Sequence, residues 1–106
     1  MLRHFAPFAV FVTLVSLSCA PGEATSDALR TGRGVYGDRC SSCHGKAGQG
    51  GVGPSLENVL STWPSCTDQM EWIALGSEGW KAAHGPTYGA NDTEITKKMP
   101  GHAETL

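Results

Sequence analysis

Apolar residues are concentrated in two parts of the chain, and no segment shows the sustained alternation of apolar and polar residues that predicts a β-strand. The first apolar run covers residues 5–17. The second covers residues 70–75, behind a segment at residues 64–68 that contains cap residues and an acid suited to a first turn, and is followed by Gly76. This second run predicts the clearest helix of the chain, with Gly76 as its end and an irregular stretch over residues 77–91 after it.

The remaining positions predict short helices joined by long loops. A first helix is expected to be capped by Ser26 or Asp27 and to run to about residue 43, although its apolar positions are sparse. A glycine-rich loop follows over residues 45–53, and a helical turn is predicted near residues 56–60. The pattern as a whole therefore predicts an all-α fold with long loops.

The N-terminal apolar run has the features of an export signal. Arg3 precedes it, and the small residues Ser16 and Ser18 lie at its end. The run is short for a membrane span and contains Pro7. The sequence is interpreted as a signal peptide, a small polar linker and one domain, over residues 1–18, 19–27 and 28–106 respectively.

Cys19 allows more than one way of processing the N-terminal apolar segment. Followed by Ala-Pro-Gly, it resembles a bacterial lipoprotein processing site, at which the cysteine carries lipid. Ser16, however, stands where such sites usually have an aliphatic residue. The alternatives are a lipidated Cys19, a Cys19 in a discarded signal, and an uncleaved segment that anchors the protein. Each of them places the domain outside the cytoplasm.

Composition narrows the classes of function. The net charge is −2 and there is no basic run, so a nucleic-acid partner is not expected. A chain of 106 residues can bury only a small core, and small cores are usually supported by disulfides, a metal or a cofactor. Fourteen glycines indicate many turns and close backbone approaches.

The candidate chemistry lies in the segment Cys-Ser-Ser-Cys-His at residues 40–44. On a helix, Cys40, Cys43 and His44 project from one face. Two thiols there can add across the vinyl groups of a haem and leave the imidazole as an axial ligand, which is the c-type haem pattern. The pentapeptide alone also allows a dithiol redox pair, or a zinc site completed by Cys66.

The wider sequence resembles the class I cytochromes c, particularly the small bacterial periplasmic domains. The resemblance covers residues 28–106. Besides the pentapeptide, the resemblance rests on Gly32 and Tyr36, which lie eight and four residues before Cys40. It rests also on the Gly-Pro-Ser-Leu segment at residues 53–56 and on the Met-Pro-Gly segment at residues 99–101. It implies the cytochrome c fold, with about three helices and long loops around one haem c.

The resemblance also implies roles for particular residues. Cys40 and Cys43 would hold the haem by thioether bonds, and His44 would be the proximal iron ligand. The carbonyl of Pro54 would accept the ring N–H of His44, which fixes the imidazole and raises its basicity. Gly32 would lie where the first helix crosses a terminal helix, but the sequence ends where that helix would begin, so the helix is expected to be missing.

On the opposite side, Leu56 would pack on the haem and Met99 would supply the distal sulfur. Met70, His84 and His102 are weaker candidates for that position. Met70 is flanked by apolar helical positions and is predicted to be core. The two histidines have polar, glycine-rich neighbours and are predicted to be solvated.

Two further groups of residues carry expectations. The aromatic residues are predicted to form the core or the walls around the haem: Trp63, Trp72, Trp80 and Tyr88. The lysines either surround the haem edge and attract an acidic partner or form an ordinary solvated face: Lys46, Lys81, Lys97 and Lys98.

The function expected from this resemblance is electron transfer by a His/Met-ligated haem c in a respiratory or other extracytoplasmic redox chain. The partners would be redox proteins, with membrane attachment through Cys19 or an uncleaved signal, in the periplasm or on the outer face of the bacterial cytoplasmic membrane. The alternatives are a haem-bearing subunit of an oxidase or dehydrogenase, and a haem sensor with an open distal site. The sequence shows no group of acidic and basic residues that would indicate acid–base catalysis by an enzyme.

Overall fold

The computed structural model describes residues 24–104. The predicted signal peptide, Cys19 and most of the linker lie outside the described residues. The elements in order are four helices and one pair of short strands: α1 Ser26–Arg39, α2 Ser41–His44, α3 Val59–Thr62, α4 Cys66–His84, β1 Thr87–Tyr88 and β2 Thr93–Glu94. The strands pair antiparallel, with Thr87 opposite Glu94. The described chain thus has the predicted all-α architecture, and none of its helices is long and apolar enough to cross a membrane.

Helix α1 begins one residue earlier and ends earlier than predicted. Thr25 is its N-cap, with the side-chain oxygen accepting the Ala28 N–H at 3.2 Å. The helix ends at Arg39, and Cys40 then serves both as its C-cap and as the N-cap of the single-turn helix α2. Within the described residues, nothing lies within 4 Å of a Cβ placed on Gly32. No other described segment therefore packs against Gly32.

Gly76 ends the first helical segment of α4, as predicted, but the irregular stretch predicted over residues 77–91 is wrong for residues 77–84, which form a second helical segment. Gly76 has φ 68° and ψ −179°, a conformation almost restricted to glycine, and helical structure resumes at Ser77. Glu71 and His84 nevertheless meet, with Oε1 and Nε2 3.0 Å apart. In a straight helix these residues would be separated by about 20 Å along the axis. The two halves of α4 therefore fold back toward each other.

The core is built from the predicted aromatic residues. Trp63 and Trp80 are buried, and their rings pack edge to face with centroids 5.3 Å apart. Trp72 and Tyr88 stack on each other at 4.7 Å and cover one side of this pair. The Trp80 Nε1–H donates to the Thr87 carbonyl at 2.9 Å, which ties the second half of α4 to β1. The predicted aromatic core is confirmed.

Two local predictions need correction. Met70, predicted to be core, is 49% exposed and is not among the side chains packed against the buried tryptophans. The helical turn predicted near residues 56–60 forms later, at Val59–Thr62, where the hydroxyls of Ser61 and Thr62 both donate to the Asn58 carbonyl. Residues 56–58 instead complete the preceding loop.

Candidate functional site

One cavity of about 720 Å³ lies between α2, the loop after it and the segment that follows β2. Its size falls within the range of small-molecule and cofactor sites. All six residues predicted from the sequence to bind the cofactor line it: Cys40, Cys43, His44, Pro54, Leu56 and Met99. They come from three separate parts of the chain, which the fold brings around a single space.

The two thiols and the imidazole reach this cavity from one helical turn. The Cys43 and His44 N–H groups both donate to the Cys40 carbonyl, at 3.2 and 3.0 Å. The backbone of residues 40–44 is therefore wound as a helix, which places the three side chains on one side. Both thiols are free, and partial burial raises the pKa of the Cys40 thiol above its ordinary value.

The His44 ring is held by the glycine-rich loop. Its Nδ1 lies 2.8 Å from the Pro54 carbonyl oxygen, which accepts the ring N–H. The hydrogen is then on Nδ1, so the Nε2 lone pair is free to bind a metal. A Cβ on Gly53 would lie only 3.1 Å from the ring, and the Gly53 N–H donates to the Cys43 carbonyl at 2.8 Å. Glycine at this position lets the loop backbone pass close to the imidazole, since a side chain here would require the ring to shift by a few tenths of an ångström.

The same loop is anchored to α1 and α2 through its backbone. Tyr36 donates its hydroxyl hydrogen to the Gly45 carbonyl at 2.6 Å, so this tyrosine fixes the first residue of the loop. The Gly50 N–H donates to the His44 carbonyl at 2.7 Å, and the Leu56 N–H donates to the Gly48 carbonyl at 2.8 Å. These bonds fold the loop back under α2 and bring Leu56 to the cavity.

Met99 lies in the segment that forms the other wall. It is half-buried, and its backbone is bonded to Ser77, with Met99 N–H to Ser77 Oγ at 3.0 Å and Ser77 N–H to the Met99 carbonyl at 2.9 Å. Ser77 is fully buried. Sequence reasoning missed Ser77, because a single serine in an apparently irregular stretch carries no pattern. The only available signal was its position directly after Gly76.

The surface of the remaining walls is mainly apolar. The charged residues that line the cavity are Arg39, Glu94, Lys97 and Lys98. The apolar lining includes Val52, Val59, Trp72, Tyr88 and Ile95. Lys97 and Lys98 also line the cavity, whereas Lys46 and Lys81 do not, so the predicted group of four lysines divides into two.

Two contacts close the space on the Met99 side. The Lys97 ammonium donates to the Val52 carbonyl at 3.1 Å and so connects the Met99 segment with the glycine-rich loop. His102, predicted to be solvated, is instead partly buried and lines the cavity, because its N–H donates to the Ile73 carbonyl at 2.9 Å and draws it toward α4.

The competing interpretations of the pentapeptide find little support in the geometry. In residues 24–104, no group of three or more His, Cys, Asp or Glu side chains is arranged to hold a metal ion. Cys66, the residue invoked for a zinc site, does not line the cavity that Cys40, Cys43 and His44 share. A dithiol switch of the thioredoxin type needs a βαβ unit, whereas the described strands are two residues long and antiparallel. A large apolar cavity with paired thiols, an imidazole and a thioether fits a haem.

Comparison with known proteins agrees with this interpretation. Residues 27–100 match the family model described as cytochrome C oxidase, cbb3-type, subunit III. Among characterised proteins, cytochrome c-L of Methylorubrum extorquens is 34% identical over 58 residues, which cover 55% of this chain and 29% of that protein. The chain thus matches less than a third of the length of this relative. No solved structure matches it significantly. The chain belongs to the cbb3-type subunit III family of class I c-type cytochrome domains, which carry covalently bound haem c and transfer electrons.

Proposed function

We propose that this domain is a one-electron carrier in an extracytoplasmic respiratory chain, with Cys40 and Cys43 as the sites of thioether attachment and His44 and Met99 as the axial ligands. The observation that carries the proposal is the pairing of two suitable donors on one cavity. The Nε2 of His44 is left free by the bond from Nδ1 to Pro54, and the thioether of Met99 comes from the opposite segment.

The haem iron, when bound, supplies a one-electron couple between its ferric and ferrous states. The chain's own residues determine how that couple behaves. The hydrogen bond from His44 to Pro54 orients the imidazole and increases its basicity. Met99 provides a soft sulfur ligand, which raises the reduction potential relative to a second histidine. The apolar walls around Trp72 and Tyr88 exclude water.

Replacing Met99 with alanine tests the distal assignment. We expect the weak sulfur-to-iron charge-transfer band of the ferric protein to disappear, the reduction potential to fall, and carbon monoxide to bind the ferrous protein readily. The physical reason is that the substitution removes the only thioether that lines the cavity within the described residues. Visible spectroscopy and a redox titration measure these changes.

Met70→Ala is the matched control, because Met70 is half-exposed on α4 and does not line the cavity. It should leave the band and the potential unchanged. A band that persists in Met99→Ala would show that another group binds the iron. Ready binding of carbon monoxide to the unmodified ferrous protein would contradict the carrier function and favour a sensor.

A second candidate function is that of a haem module in a larger oxidoreductase. The family match favours it, because the family is described as a subunit of a cbb3-type oxidase. Purification of the native protein under mild conditions separates the two possibilities. A stable complex with a catalytic oxidase subunit would indicate a module, and a protein that elutes alone and is reduced and oxidised reversibly would indicate a free carrier.

The same proposal includes the location of the domain. A signal peptide over residues 1–18 would export the chain to the periplasm or to the outer face of the cytoplasmic membrane, and residues 19–27 would separate the domain at 28–106 from it. Attachment to the membrane would be through lipid on Cys19 or through an uncleaved signal. The supporting observation is chemical, since covalent haem attachment takes place outside the cytoplasm.

A further inference from the structure

The turn of α4 at Gly76 leaves backbone groups of the helix without their usual partners. The N–H groups that begin a helical segment, and the carbonyl groups that end one, have no intrahelical bond. Ser77 begins the second half of α4, and Ile73 lies in the last turn of the first half. At this break, the Ser77 N–H and the Ile73 carbonyl are therefore available to bond another part of the chain.

The segment from Met99 to His102 uses both of these groups. The Ser77 N–H donates to the Met99 carbonyl at 2.9 Å, and the Ile73 carbonyl accepts the His102 N–H at 2.9 Å. The Ser77 hydroxyl adds a third bond by accepting the Met99 N–H at 3.0 Å. The two ends of Met99's backbone are therefore both bonded to one residue, and that residue is 0% exposed.

Gly76 allows this close approach. A Cβ on Gly76 would lie 2.5 Å from both the Met99 carbonyl oxygen and the Gly101 nitrogen, a separation that real side chains do not tolerate. Glycine at this position therefore does two things. It permits the backbone turn, and it leaves the space in which the Met99 segment lies against α4.

We propose that Ser77 is a positioning residue for the sixth iron ligand, acting through the backbone of Met99. This inference rests on the proposed ligation by Met99 and adds the residue that controls it. Ser77 touches no reacting atom. By bonding both the N–H and the carbonyl of Met99, it fixes the Cα of that residue, and thereby the direction in which the thioether enters the cavity.

The hydroxyl is the part of Ser77 that a substitution can test. In Ser77→Ala the backbone N–H of residue 77 still donates to the Met99 carbonyl, but the half-buried Met99 N–H loses its acceptor. The longer bond from the Ser77 hydroxyl to the Met99 carbonyl, at 3.4 Å, is lost as well. A polar group left unpaired in the interior favours any arrangement in which it reaches water. The segment then moves away from α4 for a larger share of the time and takes the thioether with it.

We expect the ratio of protein without bound sulfur to protein with bound sulfur to rise about tenfold, which corresponds to the contribution of one hydrogen bond. In the haem-loaded protein, Ser77→Ala should weaken the charge-transfer band and lower the reduction potential. The fraction of ferrous protein that binds carbon monoxide should rise by the same factor. Ser77→Thr keeps the hydroxyl and should restore all three properties toward those of the unmodified protein.

Two controls separate positioning from general loosening. Trp80→Phe removes the hydrogen bond from Trp80 to Thr87 in the same half of α4, without touching Met99. It should lower the urea midpoint and leave the band and the potential unchanged. Ser61→Ala removes a serine hydroxyl that donates to the Asn58 carbonyl at 2.9 Å, a bond that involves neither Ser77 nor Met99, and should change neither property.

Several results would overturn the proposal. One is a Ser77→Ala protein with the band, potential and carbon monoxide binding of the unmodified protein. Another is a Trp80→Phe protein that changes in the same way as Ser77→Ala. If Ser77→Ala does not fold, amide hydrogen exchange in the unmodified protein tests the proposal instead. A Met99 amide that exchanges as fast as an exposed amide has no bond to Ser77, and this result would refute the proposal.

Failure of the underlying function is recognised separately. An unmodified protein without a charge-transfer band would refute ligation by Met99, and the role of Ser77 with it. A band that is present, but insensitive to the Ser77 hydroxyl, would refute the role of Ser77 alone.

Discussion

Alanine at both Cys40 and Cys43 will leave the protein without covalently bound haem. The two thiols are the only free ones in the described chain, and both line the cavity, so no other described thiol can form a thioether bond. We expect complete loss of the haem signal from the polypeptide band of a denaturing gel, where non-covalent haem is released. Peroxidase staining of the gel measures it.

The loss of haem should also cost the protein its fold. Among the described residues, the buried apolar side chains are Trp63, Trp80 and Ile95 alone, a very small core for a domain of this length. A ligand that binds only the folded state adds its binding free energy to stability. Far-ultraviolet circular dichroism of the double variant should therefore show much less helix than the unmodified protein.

The serines between the cysteines provide the matched control. Ser41→Ala with Ser42→Ala changes the same pentapeptide at two positions and leaves both thiols and His44 in place. This variant should retain its haem on the gel. Covalent haem in the double cysteine variant would contradict the assignment, and so would its absence from the double serine variant.

Alanine at Gly76 will have the largest effect on stability of any single substitution considered. The residue has φ 68° and ψ −179°, a conformation that costs a non-glycine residue about 1–3 kcal/mol. The added Cβ would also lie 2.5 Å from the Met99 carbonyl oxygen, and relieving such overpacking costs about 1–3 kcal/mol more. We expect a total loss of about 4 kcal/mol in the free energy of unfolding by urea.

Gly85→Ala separates these two contributions. Gly85 has φ 105° and ψ −170°, close to the conformation of Gly76, but nothing lies within 4 Å of a Cβ placed there. Its loss should be limited to the conformational cost, and the charge-transfer band should be unaffected. In Gly76→Ala the band should weaken as well, because the Met99 backbone must move. Equal losses of stability in the two variants would show that the Met99 segment does not lie against Gly76.

Local patterns in the sequence predict much of the site. The spacing of Cys40, Cys43 and His44 predicts their common face, since side-chain direction in one helical turn depends on the local backbone alone. The cap residues in the segment 64–68 correctly predict the start of α4, where the structure makes Ser65 the N-cap and its hydroxyl accepts the Asp68 N–H at 3.3 Å. The aromatic residues are correctly assigned to the core because large apolar rings are costly to leave in water.

The errors occur where a residue's role depends on a distant segment. Residues 77–84 show no helical pattern, yet they form the second segment of α4, and the Ser77 N–H that begins it donates to the Met99 carbonyl, more than twenty residues away. His102 has polar neighbours in sequence, yet its N–H bonds to Ile73 and it lines the cavity. Such contacts leave no periodic trace in the sequence.

The sequence by itself determined the family, the haem c and the set of candidate ligands, because a covalent attachment site requires particular residue types at a particular local spacing. Only the tertiary structure decided how the distal side is held. The bonds between Ser77 and Met99 join residues 22 positions apart, and the close approach at Gly76 involves the same distant segment. The physical reason is that an unpaired N–H at a helix break can donate to an acceptor from any part of the chain, so tertiary packing decides which acceptor it meets.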